Sequence, residues 1–458
     1  MASTYLTRTP STAGNRRTGT FSAWVKRGSL GTLNSLLDCY TSFELTWFNI
    51  RFSATDQIQA IAYDATSGFQ EQFELRPTRL FRDTSAWYHI VFSWDSTQAT
   101  ASDRVKFYVN GVRETSFSSA SYPALDEDFY INYNSIPYWI GRGGWNSNYF
   151  NGSMSYVAFV DGTAELPTIF GETDSVTGQW KIKTDITPSV AWGTNGFLIL
   201  KNGNSLTDES TNTNNFTLGS GTLTNTLDCP SNVFATLNPL ANVIAPVTLS
   251  EGNLKIAMTN SKGGNLSTIS CTGGKYYAEM KITTAPQDFR FHWGIMPHPV
   301  IAADDPINAA NAGIMLSGYN AVIYAANGII NNFYGNATGR FSGNPIMGLA
   351  IDLESATRTM AISINGAWVT GSNTTDTDFS NALKVDITSY VASYPNWFIG
   401  CGSGNGSGTT GVYELNFGNG YFGTTAVSSA GTPGSTPGTF EYDVPSGYEP
   451  LTTKGLNA

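Results

Sequence analysis

Two Asn-Gly pairs, Asn110-Gly111 and Asn365-Gly366, each close a short run in which apolar and polar residues alternate. That pattern constrains this chain more than any other. Both central residues of a type I′ hairpin turn need positive φ, which Asn and Gly tolerate, so each pair predicts two antiparallel strands joined by a tight turn. The runs around them are rich in β-branched and aromatic residues: Phe21–Val25, Trp87–Trp94 and Arg104–Val109 in the first half, Lys275–Ile282, Ile346–Ile351 and Thr359–Ile364 in the second. Helical periodicity longer than three turns is found nowhere. The expected fold class is all-β, with two β-sandwich (jelly-roll) domains joined by a structured connector.

Composition agrees. Of 458 residues only 13% are charged while 13% are aromatic, and Gly contributes 47. A disordered acidic chain has the reverse signature; aromatic sheet faces and Gly/Asn turns produce this one. The formal net charge is −10. It is spread evenly, with 16 Lys+Arg against 21 Asp+Glu up to Asp228 and 9 against 14 beyond it. The basic clusters Arg16-Arg17 and Lys26-Arg27 are too small to track a phosphate backbone, so nucleic acid is not an expected partner. No apolar run approaches the roughly 18 residues that would span a bilayer, and the first residues lack a secretory apolar core. The expectation is a soluble protein with no membrane insertion. Cys39, Cys229, Cys271 and Cys401 form no CxxC pair, which points to scattered free thiols before a disulfide, and to zinc last.

The expected domains are a sandwich over residues 1–180, a connector over 181–245, a second sandwich over 246–425 and an extended tail over 426–458. The connector holds a polar run from Asn202 to Asn215 but also Gly196–Leu200, a plausible strand. Prolines bar the tail from a central strand, and Tyr442 and Tyr448 are aromatic enough to dock it on a surface.

The blocks Phe21–Lys26, Trp87–Phe92, Val105–Gly111, Ile140-Gly141 and Phe150–Phe159, in that order, resemble a laminin-G-like, concanavalin A-like jelly roll. In the second half Gly274–Glu279, Phe291–Ile295, Ile346–Asp352, Ile362–Trp368 and Val412–Gly418 resemble a SPRY-like sandwich. The phrases Tyr5–Pro10, Phe81–His89, Thr236–Leu240 and Val444–Tyr448 are similar to virion proteins of tailed, particularly marine, bacteriophages. That resemblance implies a protein made in the host cytoplasm and displayed on a phage particle, assembling with other phage structural proteins and with itself, a trimer being one option. A tail-fibre adhesin contacting a host surface glycan or protein is the leading reading. A capsid head-decoration or head-fibre protein, and a glycan depolymerase spike, are its alternatives.

Catalysis is not indicated, and no catalytic residue is assigned. His89 and His292 lie inside strand-like aromatic runs, where a packed histidine is the simpler reading, and His298 has no acidic or thiol neighbour. The GxGxxG at Gly406–Gly411 precedes a strand, not the helix that a dinucleotide needs. Asp126-Glu127-Asp128 and the pair Asp352 and Glu354 read as loops and turns, not as the facing carboxylates of a glycosidase. No cofactor is expected; loop oxygens are plentiful enough for Ca²⁺, but no ligand set stands out. The candidate binding loop is Gly141–Tyr149. There Trp145 and Tyr149 would stack on a sugar while Asn146 and Asn148 hydrogen-bond its hydroxyls. The opposing reading packs Trp145 over the sandwich edge. A weaker loop of the same kind spans Asn327–Tyr334.

Overall fold

The computed structural model describes residues 3–41, 46–64, 70–144, 146–259, 263–286, 289–297, 313–325, 328–332, 341, 343–371, 374–404, 410–428, 431, 433 and 435–457. The chain forms two compact units, Met1–Asn225 and Thr226–Ala458.

The first unit begins with β1 (Tyr5–Arg8), β2 (Thr18–Arg27), β3 (Asn34–Thr41), β4 (Thr46–Phe52), β5 (Ile58–Asp64) and β6 (Gln70–Pro77). It continues with β7 (Trp87–Asp95), β8 (Val105–Val109), β9 (Val112–Arg113), β10 (Phe117–Ser121) and β11 (Tyr138–Ile140). It closes with β12 (Gly152–Asp161), β13 (Gly171–Thr173), β14 (Trp180–Ile182), β15 (Phe197–Ile199) and β16 (Thr217–Ser220). Eight strands form one sheet in the order β10-β6-β5-β4-β3-β11-β1-β16, and six form the other, β15-β12-β2-β7-β8-β9. The alternation seen in the sequence sets the faces. Phe48, Ile50 and Phe52 point inward from β4, and Phe21, Ile90 and Phe92 from the opposite sheet. Aromatic contacts cross the gap, with Phe73 stacked on Phe92 at 5.7 Å and Phe48 tilted on Trp94 at 5.3 Å. The Asn110-Gly111 turn joins β8 to β9 with φ values of 47° and 81°, as a type I′ turn requires.

The second unit has β17 (Leu237–Val243), β18 (Thr248–Ser250), β19 (Lys255–Thr259), β20 (Gly263–Cys271), β21 (Lys275–Thr284) and β22 (Phe291–Pro297). Next come β23 (Ile314–Ser317), β24 (Val322–Ala325), β25 (Gly328–Asn332), β26 (Ile346–Asp352), β27 (Thr359–Ile364) and β28 (Ala367–Gly371). Then follow β29 (Thr374–Asp376), β30 (Val385–Asp386), the single-turn helix α1 (Thr388–Val391), β31 (Trp397–Ser403) and β32 (Thr410–Asn416). The last are β33 (Tyr421–Phe422), β34 (Thr425–Ala426) and β35 (Glu449–Pro450). A seven-stranded sheet, β17-β20-β31-β22-β23-β24-β25, faces a larger one built on β18-β19-β32-β21-β26-β27-β28-β29. Trp293, Ile295 and Ile399 pack against Met280, Leu349 and Ile351 between them. The chain is therefore nearly all-β and arranged as sandwiches, as its periodicity predicted.

Two boundaries differ from those expected. Residues 181–245 are not a connector. Phe197–Ile199 pairs with β12 and Thr217–Ser220 with β1, both inside the first unit, whereas Leu237–Val243 pairs with β20 in the second. The physical reason is the outer face of the six-stranded sheet. Val91, Tyr108 and Val160 face outward there, and Phe170, Ile186, Val190 and Trp192 cover them. The tail is likewise part of the second unit: Phe440 and Leu451 are fully buried, and Glu449–Pro450 pairs in parallel with β21.

All four cysteines are free; Cys39, Cys271 and Cys401 are buried. Among the described residues no helix is long and apolar enough to cross a membrane.

Candidate functional site

The outward residues of the eight-stranded sheet are aromatic, amide and charged. Register places Trp139 of β11 opposite Asp38 of β3, and Asp38 opposite Asn49 of β4. One row along, Tyr40, Trp47 and Tyr63 stand directly across from one another. Trp47 stacks on Tyr63 at 5.9 Å, and the Arg51 guanidinium lies 4.6 Å from the Trp47 ring centre. These residues are the polar halves of alternating strands. Trp47, Asn49 and Arg51 point out while Phe48, Ile50 and Phe52 point in, so the sequence signal for this face is a plain period of two.

The rim of this face is the accessible part. The Arg142 guanidinium sits between two rings, 4.6 Å from the centre of Tyr5 and 4.4 Å from that of Trp139. Tyr149 lies beside them, its ring 6.3 Å from Tyr5 and its hydroxyl donating to Asn146 Oδ1 at 2.5 Å. Asn146 is exposed, and Tyr5, Trp139, Arg142, Asn148 and Tyr149 are half-buried. Asn146 and Asn148 both have φ of 54°, a left-handed conformation that Asn adopts more readily than most residues. The loop they shape is anchored at both ends: Ser35 N–H donates to Asn148 O at 2.9 Å, and Asn34 Nδ2 to Tyr149 O at 3.0 Å. Three of the four expected loop residues, Asn146, Asn148 and Tyr149, thus fall at one rim. Trp145 lies outside the described residues. Sequence reasoning singled out neither Arg142, which lies within the loop, nor Trp139 just before it, nor Tyr5, which the pairing of β1 with β11 brings in from far along the chain.

Beneath this loop Asp38 is fully buried. Its Oδ2 accepts from Trp47 Nε1 at 2.8 Å, Asn49 Nδ2 at 2.6 Å and Gly144 N–H at 3.2 Å, while Oδ1 has no hydrogen-bond partner. Burial pushes its carboxyl up to about 7, against the pull of those donors and of Arg51. A carboxyl raised in this way is held protonated by the fold at pH values where the unfolded chain has lost the proton. Its stabilising contribution is complete below about pH 4 and is lost as the pH rises to about 7. Asp38→Asn should remove that loss. The Tm of the variant relative to the parent is expected to climb steadily between pH 4 and pH 7, and a difference that stays flat by calorimetry would refute the assignment.

Among the described residues, His89 is part of no catalytic arrangement. His89 is fully buried, stacked on Trp24 at 4.8 Å, and accepts at Nδ1 from Trp180 Nε1 at 3.0 Å. Its Nε2 must then carry the proton and donate to Ser22 Oγ, 2.9 Å away, so it cannot take the serine's proton. Burial lowers its pKa to about 3, which keeps it neutral. His298 and most of the Gly406–Gly411 segment lie outside the described residues, as do Asn327, Phe333 and Tyr334 of the weaker loop. Asp126 and Asp128 pair with Arg17, and Asp352 caps a turn through the N–H groups of Glu354 and Ser355. On the aromatic face Asp38 and Glu74 are three strand spacings apart, about 14 Å, against the roughly 5–9.5 Å of a glycosidase pair. Among the described residues no group of three or more His, Cys, Asp and Glu side chains is placed to hold a metal ion.

A family model described as the concanavalin A-like lectin/glucanases superfamily, Laminin_G_3, matches residues 2–169. Over those residues the first unit has a concanavalin A-like, laminin-G fold. No curated protein matches the chain. Similar solved structures include the SPRY domain of human HERC1, 14% identical, spanning 39% of this chain and 96% of that one with a TM-score of 0.29. The LG4-5 domains of the mouse laminin alpha1 chain are 7% identical over 90% of this chain and 85% of that one, TM-score 0.30. The CBM40 of a Ruminococcus gnavus IT-sialidase is 15% identical over 31% and 76%, TM-score 0.24.

Proposed function

We propose that this protein is a non-enzymatic adhesin of a tailed-phage particle, a tail-fibre type protein that holds a host surface glycan at the rim of its laminin-G domain. The observation that carries the binding reading is the accessible cluster of Tyr5, Trp139, Arg142 and Tyr149 with Asn146 beside it. Flat aromatic faces suit the apolar face of a pyranose, and amide and guanidinium groups suit its hydroxyls. The match of residues 2–169 to a lectin-containing superfamily supports the same reading. The sealed His89 and the separation of Asp38 from Glu74 support a binder over a hydrolase. The phage setting rests on the phrases around Tyr5, Phe81, Thr236 and Val444 alone.

Arg142→Gln and Tyr149→Ala should each weaken binding on a glycan array at least about tenfold, or roughly 1.4 kcal/mol, while shifting Tm little. Unchanged binding in both variants would remove the rim as the site. Mass spectrometry and cryo-EM of a particle carrying the protein test its location. Copies at the tail in multiples of three or six are expected; hundreds over the shell would make it a head decoration, and absence from particles would end the virion reading.

A further inference from the structure

We propose that the second unit has a ligand site of its own, a cleft that takes a carboxylate-bearing sugar. The cleft, open to solvent, offers about 350 Å³ between the end of β26, the start of β27 and the turn after α1. That volume is at the small end for ligand pockets. Its floor is apolar, made by the buried Leu353 and Trp397. Tyr394 forms one wall, standing at 90° to Trp397 with 5.8 Å between ring centres, and is 40% exposed. Thr272 and Ser393 complete the polar part of the lining.

Two features fix the backbone around this cleft. Trp397 Nε1 lies 3.3 Å from Val391 O and 3.2 Å from Tyr394 O, and donates to both. The turn that presents Tyr394 is thereby tied to the floor. Arg358 is fixed at its backbone in the same way, its N–H donating to Thr388 Oγ1 at 2.9 Å and its carbonyl accepting from Ile387 N–H at 2.9 Å. Yet the guanidinium of Arg358 has no hydrogen bond or ion pair among the described residues, in a chain where Asp and Glu outnumber Lys and Arg by 35 to 25. Two of the nearby carboxylates are engaged elsewhere. Asp352 accepts from Lys275 at 3.2 Å and from Ser355, and Asp386 accepts from Thr388 N–H. Glu354 is exposed and makes no ion pair.

A guanidinium presents a planar fork of donors that matches a carboxylate in bidentate fashion. Half-buried in the lining of a cleft that also contains Tyr394, it favours an anion with an organic body over a bare one. A pyranose acid meets each element: its carboxylate faces Arg358, its apolar face lies on Tyr394, and its hydroxyls reach Ser393 and Thr272. A phosphate would gain one cation and leave the aromatic wall unused. The site stands independently of the rim proposed for the first unit.

The test is titration of the full chain, by NMR or calorimetry, with the methyl glycosides of glucuronic acid, N-acetylneuraminic acid and glucose, and with inorganic phosphate. An acidic glycoside should bind at least about tenfold more tightly than methyl glucoside and than phosphate. Arg358→Gln and Tyr394→Ala should each weaken the acidic glycoside about tenfold, Arg358→Lys by less than Arg358→Gln, and Arg142→Gln in the first unit not at all. Equal affinity for acidic and neutral sugars, full competition by phosphate, or binding indifferent to both Arg358→Gln and Tyr394→Ala would overturn the proposal. So would an absence of binding by every acidic glycoside tested.

Discussion

Replacing Glu279 by leucine is expected to lower the melting temperature of the second unit by roughly 5–15 °C. Glu279 is fully buried on the outer side of β21, where it receives the C-terminal tail. Its two oxygens accept from Tyr442 N–H at 3.0 Å and Glu441 N–H at 2.9 Å, and from Tyr277 Oη at 3.2 Å and Asn416 Nδ2 at 3.3 Å. Around this latch Phe440, Tyr448, Trp368 and Tyr277 form a small apolar cluster of their own. Leucine fills the volume but accepts nothing, so two backbone N–H groups lose their partner at a cost of about 1–3 kcal/mol each. Burial pushes the Glu279 carboxyl up to about 7, against the four donors aimed at it. The fold therefore holds its proton more tightly than the unfolded chain does, and this part of the stability falls as the pH rises from about 4.5 to about 7. Glu279→Gln should remove that pH dependence and cost less than leucine. Released tails should also be cut faster by protease between Ser428 and Thr439. A leucine variant that melts within 2 °C of the parent (roughly 1 kcal/mol) and resists protease equally would show that the latch carries no weight.

Arg27→Met should destabilise the first unit by about 3–5 kcal/mol. Arg27 lies at the end of β2 with its side chain wholly shielded from solvent. Its guanidinium donates to Phe81 O at 2.5 Å and Asp56 Oδ1 at 3.1 Å and lies 4.5 Å from the Phe52 ring centre. Asp56 in turn accepts from Arg82 Nε at 3.1 Å and Gly31 N–H at 2.8 Å, and holds a φ of 63°. Three loops thus meet on one buried ion pair. Methionine follows the arginine stem but leaves Asp56 with a weaker set of donors and Phe81 O with none from this side chain. Removing one partner of a buried pair costs more than removing both. The double variant Arg27→Met/Asp56→Asn should therefore recover part of the loss in denaturant unfolding, by about 0.5–3 kcal/mol relative to additivity. Strict additivity of the two single variants would mean that the pair is not coupled.

The strands were legible because their signal is local. A period of two with β-branched and aromatic residues marks a half-buried strand wherever it occurs, and Asn-Gly marks its turn. Gly196–Leu200 showed the same signal within the supposed connector, and it is a strand of the first sandwich. What the sequence could not show is which surfaces remain uncovered. The outward side of β7 carries His89 and Val91, and nothing local says that Trp180 and Trp192, some ninety residues later, will lie over it. The candidate site was half legible for the same reason. Asn146, Asn148 and Tyr149 declare themselves as a Gly- and Asn-rich loop that also holds Arg142, whereas Tyr5 comes from a separate segment and Trp139 from the strand before the loop.

By itself the sequence determined the class of the fold, the two-sandwich plan, the hairpin turns and the burial of His89, since each follows from spacing, side-chain shape and turn chemistry within a few residues. Only the tertiary structure decided the unit boundary near Asn225, the docking of the tail on Glu279, the burial of Asp38 and the stacking of Arg142 between Tyr5 and Trp139. Those depend on strand register and on which sheet faces other segments cover. Pairing register is a long-range property: a shift of one residue would turn Trp139 inward and Tyr138 outward, and the rim of the first unit would cease to exist.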